Sequence, residues 1–231
     1  MMKAIAIQGS PEMHKGTTEQ VLSPFLEGMR SGGCEVEVHC ARKLNVKPCF
    51  GDFACWGRTP GECVLKDDMQ ALYPKFRQAD IWVFGVPYYC IMPGEVQNIL
   101  NRLVALTEPT IRSEGGSMMP TRRPELLVKH IVLVSTCYFW DVEQFDPLVG
   151  VFDKLGAILG IRPVEHLLRP HAGVYVQLLG SGPEADGVRD AAKAAGRELV
   201  QGGSVPTELA RSISRPLISR EDFLEMHSKQ F

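Results

Sequence analysis

The sequence predicts an α/β chain: a parallel sheet with helices on both faces. Three features predict it. Short apolar runs of strand length recur along the chain, segments with apolar residues at helical spacing stand between them, and glycine, proline or hydroxyl residues mark most of the changes. Strand and helix therefore alternate, and alternation implies parallel strands joined by helical crossovers.

The first run, Lys3-Ala4-Ile5-Ala6-Ile7-Gln8, reads as a buried parallel strand. Gly9, Ser10 and Pro11 break it. A helix follows Gly16, Thr17 and Thr18, with Val21, Leu22, Phe25, Leu26 and Met29 on one face and a stop at Ser31-Gly32-Gly33. Cys34 to Cys40 alternates apolar and polar residues, as an edge strand does. Residues 41–66 are irregular and hold three cysteines. A helix spans Asp67 to Arg77, with Pro74 as a kink or an early end. Ile81 to Val86 is a continuous apolar run ended by Pro87, a central strand. The next helix carries Val96, Ile99, Leu100, Leu103 and Leu106.

Residues 107–128, with Gly115-Gly116, three arginines and three prolines, read as a long exposed excursion placed to cover a ligand. His130 to Thr136 is the fourth strand, Phe145 to Leu159 a helix ending near Gly160, and Val164 to Leu168 the fifth strand. An Ala-rich helix covers Ala185 to Gln201, and Pro206 to Phe231 reads as short helical pieces interrupted at Pro216. The expected organisation is one domain over 1–205, carrying the cysteine loop 41–66, and a helical tail over 206–231. Five strands in this pattern suggest the flavodoxin-like order 2-1-3-4-5.

Composition narrows the function. A net charge of −2 gives no electrostatic case for nucleic acid or membrane binding, and no run approaches the roughly 20 apolar residues of a membrane span. No basic segment followed by an apolar core opens the chain. Seven cysteines, an odd number, favour reduced thiols over a secreted disulfide framework, and with them a cytoplasmic location.

In a parallel sheet of this order, ligands bind beyond the strand C-termini, where the strand order reverses. Loops 9–18, 87–94 and 135–141 meet there. The first is an anion socket. The N–H groups opening a helix lack intrahelical partners, the helix dipole adds positive charge, Ser10, Thr17 and Thr18 add hydroxyls, Lys15 adds a cation, and Gly16 leads into the helix. It is neither a Walker loop nor a Gly-x-Gly-x-x-Gly fingerprint. An ordinary capped strand-to-helix turn is the competing reading. The second loop, Pro87-Tyr88-Tyr89-Cys90-Ile91-Met92, offers aromatic and apolar surface. The third offers Ser135, Thr136, Cys137 and Tyr138. A phosphate site beside a flat apolar site matches FMN; the alternative is that Tyr88, Tyr89 and Tyr138 are packing residues.

These segments resemble the NAD(P)H-dependent FMN reductases and iron–sulfur flavoproteins. Gly9-Ser10-Pro11 with Gly16-Thr17-Thr18 is similar to that family's phosphate loop, Phe84-Gly85-Val86-Pro87-Tyr88-Tyr89 to its second flavin loop, and Ser135-Thr136-Cys137 to its third. The resemblance spans about residues 3–160. Glu12 and Thr17 depart from the pattern, which has a basic residue and Asn there. The resemblance implies a flavodoxin-like fold, bound FMN, reduction by NADH or NADPH, and homodimers or homotetramers. It implies that Ser10, Thr17 and Thr18 hold phosphate, that Pro87, Tyr88 and Tyr89 line the ring, and that Ser135 to Tyr138 close the site. The acceptor is then a quinone, free flavin, nitro compound or protein. No protein nucleophile is expected, because the flavin carries the chemistry. Arg112, Arg122 and Arg123 are candidates for a 2′-phosphate, or a solvated loop.

Iron–sulfur members carry C-x2-C-x2-C and a later fourth cysteine. Here Cys49, Cys55 and Cys63 hold the first, third and fourth positions and Asp52 the second. The favoured reading is a cluster-free loop with no resident metal. A cluster at Cys49, Asp52, Cys55 and Cys63, a zinc ion, and a Cys49–Cys55 disulfide are the alternatives. A cluster would make the chain an electron-transfer flavoprotein, and a chain that binds no flavin would be a scaffold or binding protein.

Overall fold

Strand β1, Lys3–Gln8, is buried from Ala4 onward and lies between two parallel neighbours, β2 (Glu35–Cys40) and β3 (Ile81–Pro87). The computed structural model describes residues 1–114, 116–180 and 182–230, so Gly115, Ser181 and Phe231 of the segments above lie outside the described residues. β3 pairs with β6 (His130–Thr136), and β6 with β7 (Glu165–Arg169), all parallel. The sheet order is β2-β1-β3-β6-β7. The chain numbering runs past the expected one because two further strands are inserted between the third and fourth.

Alternate residues of the central strands serve opposite faces, as the strand pleat requires. Ile5, Ile7, Trp82, Phe84, Ile131 and Leu133 pack under α2 (Met69–Gln78), α3 (Gly94–Arg102) and α4 (Asp146–Leu159). Ala4, Ala6, Ile81, Val83, Val132 and Val134 pack under α1 (Glu19–Ser31) and α6 (Pro183–Gly202). The α1–α6 contact is made at two glycines: a Cβ on Gly28 would stand 1.9 Å from the Lys193 carbonyl oxygen, and one on Gly196 2.0 Å from that of Phe25.

Three expectations are corrected. Pro74 does not end α2, which runs on to Gln78. A short helix, α5 (Ala172–Leu178), follows β7 where the sequence predicts none. Residues 107–128 are not an irregular excursion over the ligand end of the sheet. They form an antiparallel hairpin, β4 (Thr107–Glu114) and β5 (Ser117–Arg122), with a bulge between Glu108 and Ile111. The Arg112 guanidinium donates to the carbonyls of Ala157 and Ile158 in the last turn of α4. The last carbonyls of a helix stand at the negative end of its dipole, so a cation there is favourable and adds to the Gly160 N–H that caps Ala157 at 3.2 Å. Arg112 holds the hairpin at the end of α4 away from the three loops.

The tail forms α7 (Thr207–Ser214) and α8 (Arg220–Gln230), separated by residues 215–219. Ile213 is buried with the α1–α6 layer. α8 lies against the third loop: Phe223 packs edge-on to Tyr138, and the Tyr138 hydroxyl is 2.7 Å from His227 Nδ1. No helix among the described residues is long and apolar enough to cross a membrane.

Candidate functional site at the sheet's C-terminal edge

The three loops converge at the carboxyl ends of β1, β3 and β6. Gly9 N–H donates to the Gly85 carbonyl at 2.7 Å, and Tyr88 N–H to that of Thr136 at 2.8 Å, so the first loop is tied to the end of β3 that leads into the second, and the second to the third. A hydroxyl pair closes the set: Thr18 Oγ1 lies 2.8 Å from Thr136 Oγ1, and Thr17 Oγ1 lies 3.3 Å from the same atom.

Residues 13–15 form one 3-10 turn, and α1 begins at Glu19. Among the described residues, the N–H groups of Thr17 and Thr18 donate to no backbone carbonyl, as the opening of a helix leaves them. Ser10 is buried, and its Oγ accepts from Glu12 N–H at 3.3 Å, which leaves the hydroxyl proton free to be donated. Gly16 backs this hydroxyl so closely that a Cβ would stand 2.2 Å from Ser10 Oγ. Lys15 is exposed beside the loop. The arrangement presents N–H and O–H donors and a nearby ammonium, the donor set a phosphate monoester requires.

The second loop divides. Pro87 is buried, Tyr88 and Met92 are half-buried against the core, and Tyr89, Cys90 and Ile91 are exposed. Tyr88 packs edge-on against Phe145. Ile91 has φ of 77°, a strained region for a β-branched residue of the kind that collects at ligand-binding segments. In the third loop Ser135 is wholly buried and donates to the Val86 carbonyl at 2.6 Å, bracing the sheet. Cys137 is buried, and burial pushes its thiol up to about 11, so it carries no thiolate at neutral pH. Tyr138 and Phe139 are exposed.

The arginines considered for a 2′-phosphate are spent elsewhere. Arg112 caps α4, Arg122 donates to the Val128 carbonyl, and Arg123 is buried with donors on the carbonyls of Ala105 and Cys55. Two polar residues escaped the sequence analysis. Gln8 and Glu19 bond to each other beneath the first loop. Nothing in a glutamine closing a strand signals that role.

The cysteine loop lies apart, against α2 and α3. Cys49, Asp52, Cys55, Cys63, Tyr73 and Arg102 line a cavity of about 280 Å³. All seven cysteines are free thiols, so no Cys49–Cys55 disulfide is present. Burial, then the neighbouring Cys63 and Cys49, push the Cys55 thiol up. Among the described residues no three His, Cys, Asp or Glu side chains converge to hold a metal ion. The base of the loop is fixed by a buried pair. Arg102 Nη1 is 2.7 Å from Asp67 Oδ2, and neither side chain is exposed. Burial opposes ionisation of Asp67, but hydrogen bonds from Arg102 and from Lys47 N–H outweigh it and hold the carboxyl below its usual range.

A family model described as NADPH-dependent FMN reductase matches residues 2–138, which include the first two loops and the start of the third. An iron–sulfur flavoprotein of Archaeoglobus fulgidus is 34% identical over 102 residues, 44% of this chain and 48% of the relative. The chain thus spans about half the length of the curated relatives it matches. Among solved structures, an NAD(P)H:quinone oxidoreductase from Methanothermobacter marburgensis aligns with a TM-score of 0.59 at 14% identity, covering 88% of this chain and 99% of that one. An azoreductase from Bacillus anthracis aligns at 0.61 and 12% identity, covering 87% and 100%. At such identities the likeness establishes the flavodoxin-like α/β fold. The first loop, with its free N–H groups and its Gly16 cradle, fits the phosphate of FMN. The loop at 49–63 does not supply four thiolates for a cluster, because Asp52 stands in the second position.

Proposed function

The chain belongs to the NADPH-dependent FMN reductase family, and from that premise we infer that it is an FMN-dependent oxidoreductase oxidising NADPH or NADH and reducing a small acceptor of the quinone, azo or flavin kind. The observation that carries this is the convergence of the three loops, with unpartnered N–H groups at one end and exposed aromatic and apolar side chains at the other.

FMN, when bound, accepts a hydride and passes two electrons on. The chain's part is binding and orientation. The N–H groups of Thr17 and Thr18 and the hydroxyls of Ser10 and Thr17 hold the phosphate, with Lys15 nearby as counter-charge. Thr18 serves through its N–H, since its hydroxyl is turned to Thr136. Tyr88, Tyr89, Cys90, Ile91 and Met92 make one wall of the ring site, with Pro87 fixing their departure from β3. Thr136, Cys137 and Tyr138 make the other, braced by Ser135. Titrating the purified protein with FMN tests the reading. We expect a stable yellow complex whose bands near roughly 375 and 450 nm bleach with NADPH or NADH under anaerobic conditions. Failure to bind FMN overturns it.

A second reading rests on the names of the curated relatives, which are iron–sulfur flavoproteins. It makes the chain an electron carrier with a cluster at Cys49, Asp52, Cys55 and Cys63. Stoichiometric iron after anaerobic reconstitution supports it, and iron-free protein with full reductase activity removes it.

A further inference from the structure

We propose that Gln8 is the positioning residue of the phosphate loop, a buried template that holds residues 10–16 in their ligand-ready shape. This rests on the FMN reading above.

Gln8 is the last residue of β1 and is fully buried. Its amide bonds to the loop that follows and to the first residue of α1. Oε1 accepts from Ser10 N–H at 3.0 Å, and Nε2 donates to the Met13 carbonyl at 2.7 Å and to Glu19 Oε2 at 3.3 Å. A primary amide is planar, so one rigid group braces Ser10 and Met13, whose turn the Met13 N–H closes on the Ser10 carbonyl at 3.0 Å, and ties both to the first turn of α1. A buried amide with both donors paired and its oxygen accepting is a costly arrangement to disturb.

Each bond has a consequence at the loop's outer face. With its N–H drawn inward, Ser10 carries its hydroxyl under Glu12 N–H and against Gly16, the proton left for a ligand. Met13 has φ of 53°, a left-handed conformation that a residue with a Cβ avoids unless its surroundings impose it. The bond to its carbonyl is such an imposition. Glu19 opens α1, and its carboxylate is held at both oxygens. Gln8 holds one of its oxygens, and His14 Nδ1 faces the other at 3.4 Å.

The test compares FMN with riboflavin, which lacks the phosphate, in the wild-type protein and in Gln8→Leu and Gln8→Met. Amide exchange at Ser10 is followed in the flavin-free protein. We expect at least a tenfold loss of FMN affinity, riboflavin affinity within twofold of wild type, and faster exchange of Ser10 N–H. Equal losses for both ligands, or unchanged FMN affinity, overturn the proposal. So does loss of all flavin binding in both variants, which makes Gln8 a residue of the core alone. Wild-type protein that binds neither ligand instead overturns the functional reading, while the exchange at Ser10 still reports on Gln8.

Discussion

Thr18 Oγ1 and Thr136 Oγ1 stand 2.8 Å apart across 118 positions of chain, and this contact joins the first loop directly to the third. Both side chains are buried, so neither hydroxyl has water as an alternative partner. Thr136→Val keeps the shape and strands the Thr18 hydroxyl. A buried polar group left unpaired costs about 1–3 kcal/mol. We expect a loss of that size in urea unfolding together with weaker FMN binding, whereas Thr136→Ser, which keeps the hydroxyl, retains most of both. Unchanged stability in Thr136→Val would show that the hydroxyl pair contributes nothing.

Gly16→Ala separates the phosphate loop from the fold. The added methyl would stand 2.2 Å from Ser10 Oγ, so the serine must turn or the loop must move. The position precedes α1 and lies outside every core cluster, so the circular dichroism spectrum should match wild type. FMN affinity should fall at least tenfold. A variant with wild-type affinity would place the phosphate elsewhere.

How much of this was legible in the sequence depends on whether the signal is local. Strands such as Ile81–Val86 announce themselves, because burial on both faces demands an unbroken apolar run. The two threonines of the first loop are legible as helix-opening hydroxyls. The hairpin is not. Pro109 and Pro120 sit within its strands, a bulge breaks the alternation, and Arg112 looks solvated until the last turn of α4 is brought beside it. Gln8 is hidden for the same reason, since a polar residue closing a strand looks like its boundary. The three thiols of the cysteine loop could be counted, but their separation is a tertiary property.

The pair Arg102–Asp67 governs the base of the cysteine loop, since Asp67 also accepts from Lys47 N–H and Arg102 donates to the Lys47 carbonyl. Removing one member of a buried ion pair leaves an uncompensated charge, at a cost of about 3–5 kcal/mol. Arg102→Met should lose stability in that range by urea unfolding. Arg102→Met combined with Asp67→Leu should lose less than the two single changes added together. Strict additivity would mean that the two side chains do not act as a pair.

His171 makes stability depend on pH in a defined window. It is wholly buried, and burial followed by the charge of Arg169 pushes its imidazole down to about 4. Its Nε2 accepts from Arg169 Nη2 at 2.8 Å and from Leu217 N–H at 3.1 Å, so the ring must stay neutral to hold the tail. Arg169 fastens the same segment through the carbonyls of Ile213 and Arg215. The unfolded chain takes up a proton near pH 6.5, the folded one only near 4. The unfolded state therefore binds more protons between those values. The contribution is complete above pH 6.5, falls as the pH drops toward 4, and changes no further below. Each tenfold difference in proton affinity is worth about 1.4 kcal/mol, so the loss amounts to about 3 kcal/mol. Its backbone lies in the left-handed region at φ of 39°, which asparagine tolerates. In His171→Asn the slope of unfolding free energy against pH should flatten between 4 and 6.5. A variant with the wild-type slope would assign the acid lability to another group.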